Sequence, residues 1–136
     1  MKRLRVRRLE LQLLLIRVCA GLAFLPHAAP KLFEGFVVRE RIAQQIAGVG
    51  LPHALQFVVL AGVIELVLGL TLTLGWVMRA AAVLAAVYLG VLAYFLPEEH
   101  ALLWLVVCVS FAIAGGGRWS VDGWLGSNSV AAVTVA

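Results

Sequence analysis

Four long apolar runs alternate with short polar stretches along this chain, and the runs lack the every-second-residue alternation of a barrel strand. Each run is close to the roughly 20 residues that a helix needs to cross the hydrocarbon core of a bilayer. Because only helices and closed barrels can span a bilayer, the pattern predicts an all-α integral membrane protein, a four-helix bundle. The predicted spans lie at residues 9–26, 54–77, 80–96 and 101–116.

Composition agrees with a chain that lies mostly in lipid. Hydrophobic residues make up 63% of the 136 residues and charged residues 13%, whereas about 25% of a soluble domain is charged. Four spans use up most of this length, so we expect one transmembrane domain at residues 1–125 and a C-terminal tail at 126–136. No soluble face is left for nucleic acid, and the basic N-terminus is explained by topology and by attraction to anionic lipid.

Basic residues near the predicted span ends indicate the orientation of the bundle. Cytoplasmic loops of membrane proteins carry the excess of lysine and arginine. Glu98 and Glu99, before the fourth span, have no basic neighbour in their loop. Both termini are therefore expected in the cytoplasm. Seven basic residues fall on that side (Lys2, Arg3, Arg5, Arg7, Arg8, Arg79 and Arg118) and three on the other (Lys31, Arg39 and Arg41).

The first run and the loop after it allow more than one interpretation. The run resembles a cleaved signal peptide, but the cores of signal peptides are uncharged and Arg17 lies inside this one, so a mature helix is expected. In the loop 27–53, Pro30 can open a helix and Gly48 can close it. One face of that segment is apolar, which predicts an interfacial segment in the first loop, with the second span beginning at Pro52.

Arg17 and Glu65 are charged residues that lie deep inside predicted spans. Arg17 precedes Pro26 by nine residues and Glu65 follows Ala54 by eleven, which places both about 13–17 Å from the outer ends of their helices. Since an ionised group at mid-membrane needs a partner or a task, we expect these two side chains to form an ion pair. The pair could be a structural lock, or it could be a polar site for a quinone or a proton.

Small residues flank both charges at helical spacing. Gly62 and Gly69 share a face with Glu65, and Gly21 and Phe24 share a face with Arg17. Small residues let two membrane helices approach closely, so these faces are expected to meet.

Polar residues also collect at the predicted outer ends of the spans. His27, His53 and His100 all fall there, and Lys31 follows His27 at i+4. The histidines lack a metal-ligand spacing, so solvated interfacial residues are favoured over a metal or haem site. His27 with Lys31 could instead donate hydrogen bonds to a carbonyl oxygen. The expected ligand-binding set is therefore Arg17, His27, Lys31 and Glu65, with an apolar wall that includes Phe24 and Phe57.

The two cysteines, Cys19 and Cys108, fall inside predicted spans at similar depths. A redox pair is geometrically possible, but the favoured interpretation is that both cysteines act only as small apolar residues in the packing. No motif for flavin, haem, iron–sulfur or nucleotide is present, so no intrinsic cofactor and no metal are expected.

Three segments of the chain, in their order and spacing, resemble the DoxX family. They are RVCAGLAFLPHAAPKLF (Arg17–Phe33), LAGVIELVLGLTLTLGWVMRAAAVL (Leu60–Leu84) and GGGRWSVDGWL (Gly115–Leu125). The resemblance implies a small four-helix protein of the inner (plasma) membrane. It carries over Arg17, His27, Lys31, Glu65 and Asp122 as family-pattern positions, and we expect Gly62, Gly69 and Asp122 to be structural.

Some relatives in that family are subunits of thiosulfate:quinone oxidoreductase, and others associate with membrane redox or sulfur-metabolising complexes. The leading hypothesis is therefore an accessory or quinone-associated subunit of a respiratory or sulfur redox complex. Its expected partners are membrane lipids and a larger membrane complex or further copies of the chain. The rival is a structural small subunit without a ligand. A small transporter is disfavoured, because the sequence has no clear inverted repeat.

Overall fold

The computed structural model describes residues 2–48, 50, 52–95 and 99–126, with no description of the side chains of residues 2–7, 95 and 99. Within these residues there is no strand, so the all-α prediction is confirmed. Glu98 and the tail from residue 127 onward lie outside the described residues. A short helical segment at residues 121–126 follows five helices: α1 (Lys2–Leu32), α2 (Phe36–Ala47), α3 (Ala54–Leu74), α4 (Met78–Phe95) and α5 (Glu99–Ala114).

Two of the described helices have the length and hydropathy of membrane spans. Arg8–Leu32 of α1 and Ala54–Leu74 of α3 are long and apolar enough to cross a bilayer, with mean hydropathies of 1.7 and 2.4. The shorter apolar stretches Met78–Tyr94 and His100–Ala114 belong to α4 and α5. Many large apolar side chains along the bundle are exposed, as expected of a surface that meets lipid. The protein is therefore a helical membrane protein, as predicted.

The bundle is built from two closely packed pairs, α1 with α3 and α4 with α5. The α1–α3 pair is antiparallel, because Gly21 lies against Gly69 and Thr73 whereas Gly62 lies against Lys31. Glycines at this contact let the two backbones approach closely. The core shared by the pairs is apolar and contains Ala20, Phe24, Leu68, Leu72, Met78, Ala81, Ala82, Ala85, Leu89, Cys108 and Phe111.

The first helix is longer than the sequence predicts. Pro26 and Pro30 both lie inside α1, which ends at Leu32, so the predicted span end at residue 26 and the helix start at Pro30 are wrong. A proline removes one backbone donor, and in membrane helices the surroundings tolerate that loss. The break falls at Gly35 instead, where φ is +91°, a value that favours glycine.

The first loop contains α2, a short helix that packs against α3 and α1. Ala43 is buried in this contact, and Ile42 and Ile46 are partly buried on the same side. Polar residues such as Glu40 and Arg41 are exposed. A helix is therefore present in the first loop, as predicted, and it closes one end of the bundle.

Candidate functional site

The predicted ion pair between Arg17 and Glu65 is wrong. Because α1 continues to Leu32, Arg17 lies farther from the C-terminal end of its helix than the nine residues that the sequence predicted. In the antiparallel α1–α3 pair, Glu65 faces Lys31. Lys31 lies about 21 Å farther along the axis of α1 than Arg17 does. Arg17 faces Gly75, just beyond the other end of α3. The two charges therefore belong to two separate polar clusters, at opposite ends of the bundle.

The first cluster, here called the clamp, consists of Arg17, Gly75 and residues 115–123. The guanidinium of Arg17 donates from Nη1 to the carbonyl of Gly116 at 2.8 Å and from Nη2 to the carbonyl of Trp119 at 2.9 Å. Its Nε atom is buried without a partner. A buried cation is thus held by the backbone of the segment that follows α5, and the contact ties this segment to α1.

Asp122 completes the clamp by capping α4. Its carboxylate accepts hydrogen bonds from the backbone N–H groups of Val77 and Met78, at 2.8 and 2.6 Å. These donors belong to the start of α4, where N–H groups lack intrahelical partners and a negative charge is favourable. The backbone N–H of Asp122 donates to the carbonyl of Gly75 at 3.2 Å. Asp122 therefore acts as a cap supplied from a distant part of the chain.

The second cluster lies in a cavity of about 510 Å³ at the other end of the bundle. All five helices contribute to its wall, and α2 covers part of it. Most of the wall is apolar, from residues such as Phe24, Ile46, Leu89 and Leu92. Volume and polarity both suit a small lipid-soluble ligand. The side chains with polar atoms in the wall are His27, Lys31, Gln45, Glu65, Tyr88, His100 and Trp104.

Glu65 is the centre of the polar group in this cavity. Its side chain is 3% exposed, and its Oε1 atom accepts hydrogen bonds from the ammonium of Lys31 and, at 2.5 Å, from the hydroxyl of Tyr88. The other oxygen, Oε2, is buried and has no partner. Buried carboxylate oxygens are ordinarily hydrogen-bonded, so Oε2 is an acceptor that lacks its donor.

The remaining predicted residues divide between the cavity and the outside. His27 and His100 line the cavity, on α1 and α5 respectively, whereas His53 immediately precedes α3 and is exposed. Phe24 is part of the wall as expected. Phe57 is not, because it lies on a face of α3 that points away from the bundle, where it is 42% exposed.

The comparison with protein families agrees with this architecture. The DoxX family model matches residues 12–98, well over half of the chain. The chain belongs to the DoxX family. No curated protein and no solved structure gave a match.

The matched part of this DoxX-family chain holds Arg17, His27, Lys31, Glu65 and Tyr88, together with most of the cavity wall. The clamp residues from 115 onward and His100 lie beyond it. The family match therefore covers both buried charges but only one side of the clamp.

Tyr88 is the main cavity residue that the sequence reasoning missed, and Gln45 and Trp104 were not assigned to a site either. A signal for Tyr88 exists in the DoxX-family chain. Tyr88 follows Ala81 and Ala85 at i+7 and i+3 on one face of α4, so a hydroxyl stands beside small residues inside an apolar span. That is the same arrangement that drew attention to Glu65.

The cysteines of the DoxX-family chain are both free. Cys108 is packed in the apolar core, and Cys19 is exposed on the outer face of α1. Among the described residues, no three His, Cys, Asp or Glu side chains come together as a metal site would require.

Proposed function

We propose that this DoxX-family protein is a quinone-binding accessory subunit of a membrane redox complex. The observation that supports it is the cavity around Glu65, a buried carboxylate with an unpartnered oxygen in a mostly apolar cavity. A buried acceptor without a donor is rare in folded proteins, and it suggests that a bound ligand supplies the hydrogen bond.

The cavity supplies what a quinone head group needs. Lys31 has three N–H donors, one of which contacts Glu65, so others are available for a ligand oxygen. His27 and His100 line the same cavity, and an imidazole can donate a hydrogen bond to a ligand oxygen. Apolar residues from α1 and α4 would hold the ring, and the isoprenoid tail would extend into lipid.

Electrons are proposed to come from a partner protein. The chain carries no motif for a flavin, haem, iron–sulfur cluster or nucleotide, so its own residues would bind and orient the quinone and handle its protons. Respiratory and sulfur-oxidising complexes are the proposed setting, because DoxX-family resemblance implies that association. A larger membrane complex or a homo-oligomer would surround the bundle.

Filling the cavity should remove the bound ligand. We expect Ala61→Leu, which projects extra methyl groups into the cavity wall, to lower the quinone content of the purified protein about tenfold or more. Ala114→Leu is the matched control, because Ala114 is exposed outside the cavity and should leave the content unchanged. Quinone would be extracted from protein purified from native membrane and quantified by mass spectrometry, after a thermal melt has shown that both variants are folded.

The rival function is a structural small subunit, and one observation favours it. The clamp and the Lys31–Glu65 pair have partners within the chain, so they could serve only to lock the bundle. Wild-type protein that copurifies with a stoichiometric complex but holds no quinone, together with quinone-linked turnover that Ala61→Leu leaves intact, would replace the first proposal with this one.

We also propose that the protein lies in the inner (plasma) membrane with both termini in the cytoplasm. The bond from the Arg118 backbone to Glu10 and those from Arg17 place the N-terminal half of α1 and the segment after α5 at the same end of the bundle. Arg8, Arg79 and Arg118 are exposed at that end, where the positive-inside rule favours them.

A reporter that is active only outside the cytoplasm should therefore be silent when fused after Ala136. The same reporter inserted after Glu34, in the turn between α1 and α2, should be active. Activity of the first fusion with silence of the second would reverse the orientation and place the cavity on the cytoplasmic side.

A further inference from the structure

We propose that the cavity selects a ligand that presents a hydroxyl group to Glu65, so that a hydroquinone binds more tightly than the corresponding quinone. This inference rests on the proposed function and adds a preference for one redox form of the head group. Its basis is the division of hydrogen bonds between the two oxygens of Glu65.

The two oxygens of the Glu65 carboxylate have unequal surroundings. Oε1 accepts from both Lys31 and Tyr88, so the two nearby donors converge on one atom. Within the described residues nothing donates to Oε2, although this atom is buried. An ionised carboxylate can only accept hydrogen bonds, so in the ion pair that Glu65 forms with Lys31 the partner that Oε2 lacks is a donor.

A hydroxyl matches this arrangement better than a carbonyl does. The hydroxyl of a hydroquinone can donate to Oε2 of Glu65 and at the same time accept from the ammonium of Lys31. A quinone carbonyl can accept from Lys31 but leaves Oε2 buried and unsatisfied. Sites built around a ligand hydroxyl reject analogues that lack it, because their own polar groups are then left unpaired. We expect a preference on the order of tenfold or more.

The test compares three ligands on the purified full-length chain in one detergent. They are a short-chain benzohydroquinone kept reduced under anaerobic conditions, its quinone, and its dimethyl ether, which has neither a hydroxyl donor nor redox activity. Dissociation constants would be measured by isothermal titration calorimetry. The hydroquinone should bind at least about tenfold more tightly than either of the other two.

Glu65→Gln should abolish the preference. Lys31 and Tyr88 would hold the amide oxygen at the position of Oε1, so the amide NH₂ would take the position of Oε2. A donor there can be accepted by the carbonyl of a quinone and by the hydroxyl oxygen of a hydroquinone alike, so neither form leaves it unpaired. Glu34→Gln is the matched control: Glu34 is exposed in the turn after α1 and does not line the cavity, so this variant should keep the wild-type preference.

Equal affinity of the wild type for all three ligands would overturn the inference and leave the proposed function standing, since a water molecule would then satisfy Oε2. An unchanged preference for hydroquinone in folded Glu65→Gln would also overturn it. Failure of the wild type to bind any of the three would instead contradict the proposed function. The wild-type comparison needs no variant, so it decides the matter even if Glu65→Gln fails to fold.

Discussion

Gly21→Ala should destabilise the bundle by about 3 kcal/mol, because the closely packed α1–α3 contact has no space for the added methyl group. A Cβ atom at Gly21 would lie 2.6 Å from the backbone nitrogen of Thr73 and 2.7 Å from the carbonyl oxygen of Gly69, besides meeting the Thr73 hydroxyl. Backbone atoms of α3 cannot move aside as a flexible side chain can. The α1–α3 contact would have to open, and both polar clusters depend on that contact.

Gly90→Ala is the matched control within the same bundle. Gly90 also lies inside a helix, but a Cβ atom there would come no closer than 3.5 Å to Leu105, which is ordinary contact. Alanine is a better helix former than glycine, so Gly90→Ala should be neutral or stabilise by up to about 1 kcal/mol. Unfolding free energies from denaturant titration in mixed micelles would compare the two. Similar stability of both variants would show that α1 and α3 are not so closely packed.

Removal of Glu65 alone should be far more harmful than removal of Glu65 and Lys31 together. Glu65→Met leaves the ammonium of Lys31, which is only 15% exposed, without its partner, and we expect a loss of about 3 kcal/mol. The double variant Lys31→Met with Glu65→Met removes both charges and keeps the apolar volume. It should lie within about 1 kcal/mol of the wild type, because a buried ion pair adds little net stability.

Arg17 supplies the control for this pair. Arg17→Met should destabilise the clamp, because the Gly116 and Trp119 carbonyls lose their donor, but its effect should add to that of Glu65→Met. Residues at opposite ends of a bundle share no partner, so no interaction energy is expected between them. Rescue of Glu65→Met by Arg17→Met, without rescue by Lys31→Met, would restore the original pairing and contradict the helix register described above. Thermal melts of the four variants in detergent would distinguish these outcomes.

Much of the site was visible in the sequence, since the candidate residues share strong local signals. A charged residue inside an apolar run stands out wherever its partner lies, which is why Arg17 and Glu65 were recognised. The glycines beside them also predicted which helix faces meet. The structure places Gly21, Gly62 and Gly69 at the α1–α3 contact. Tyr88 was missed because a lone tyrosine in an apolar helix is common and its partner lies 23 residues away.

The sequence by itself determined that this chain is an all-α membrane protein. Span length and hydrophobicity are local properties, and a long apolar segment in lipid must satisfy its backbone hydrogen bonds within its own helix. The sequence could not determine which charged side chains lie next to each other in the bundle. That depends on where α1 ends, and the proline residues that suggested an end at Pro26 are tolerated inside the helix. The helix continues for six residues beyond Pro26, and in the resulting alignment of α1 with α3 Glu65 pairs with Lys31 while Arg17 lies in the clamp. Only packing against α3 decides that register, through contacts between residues distant in the chain.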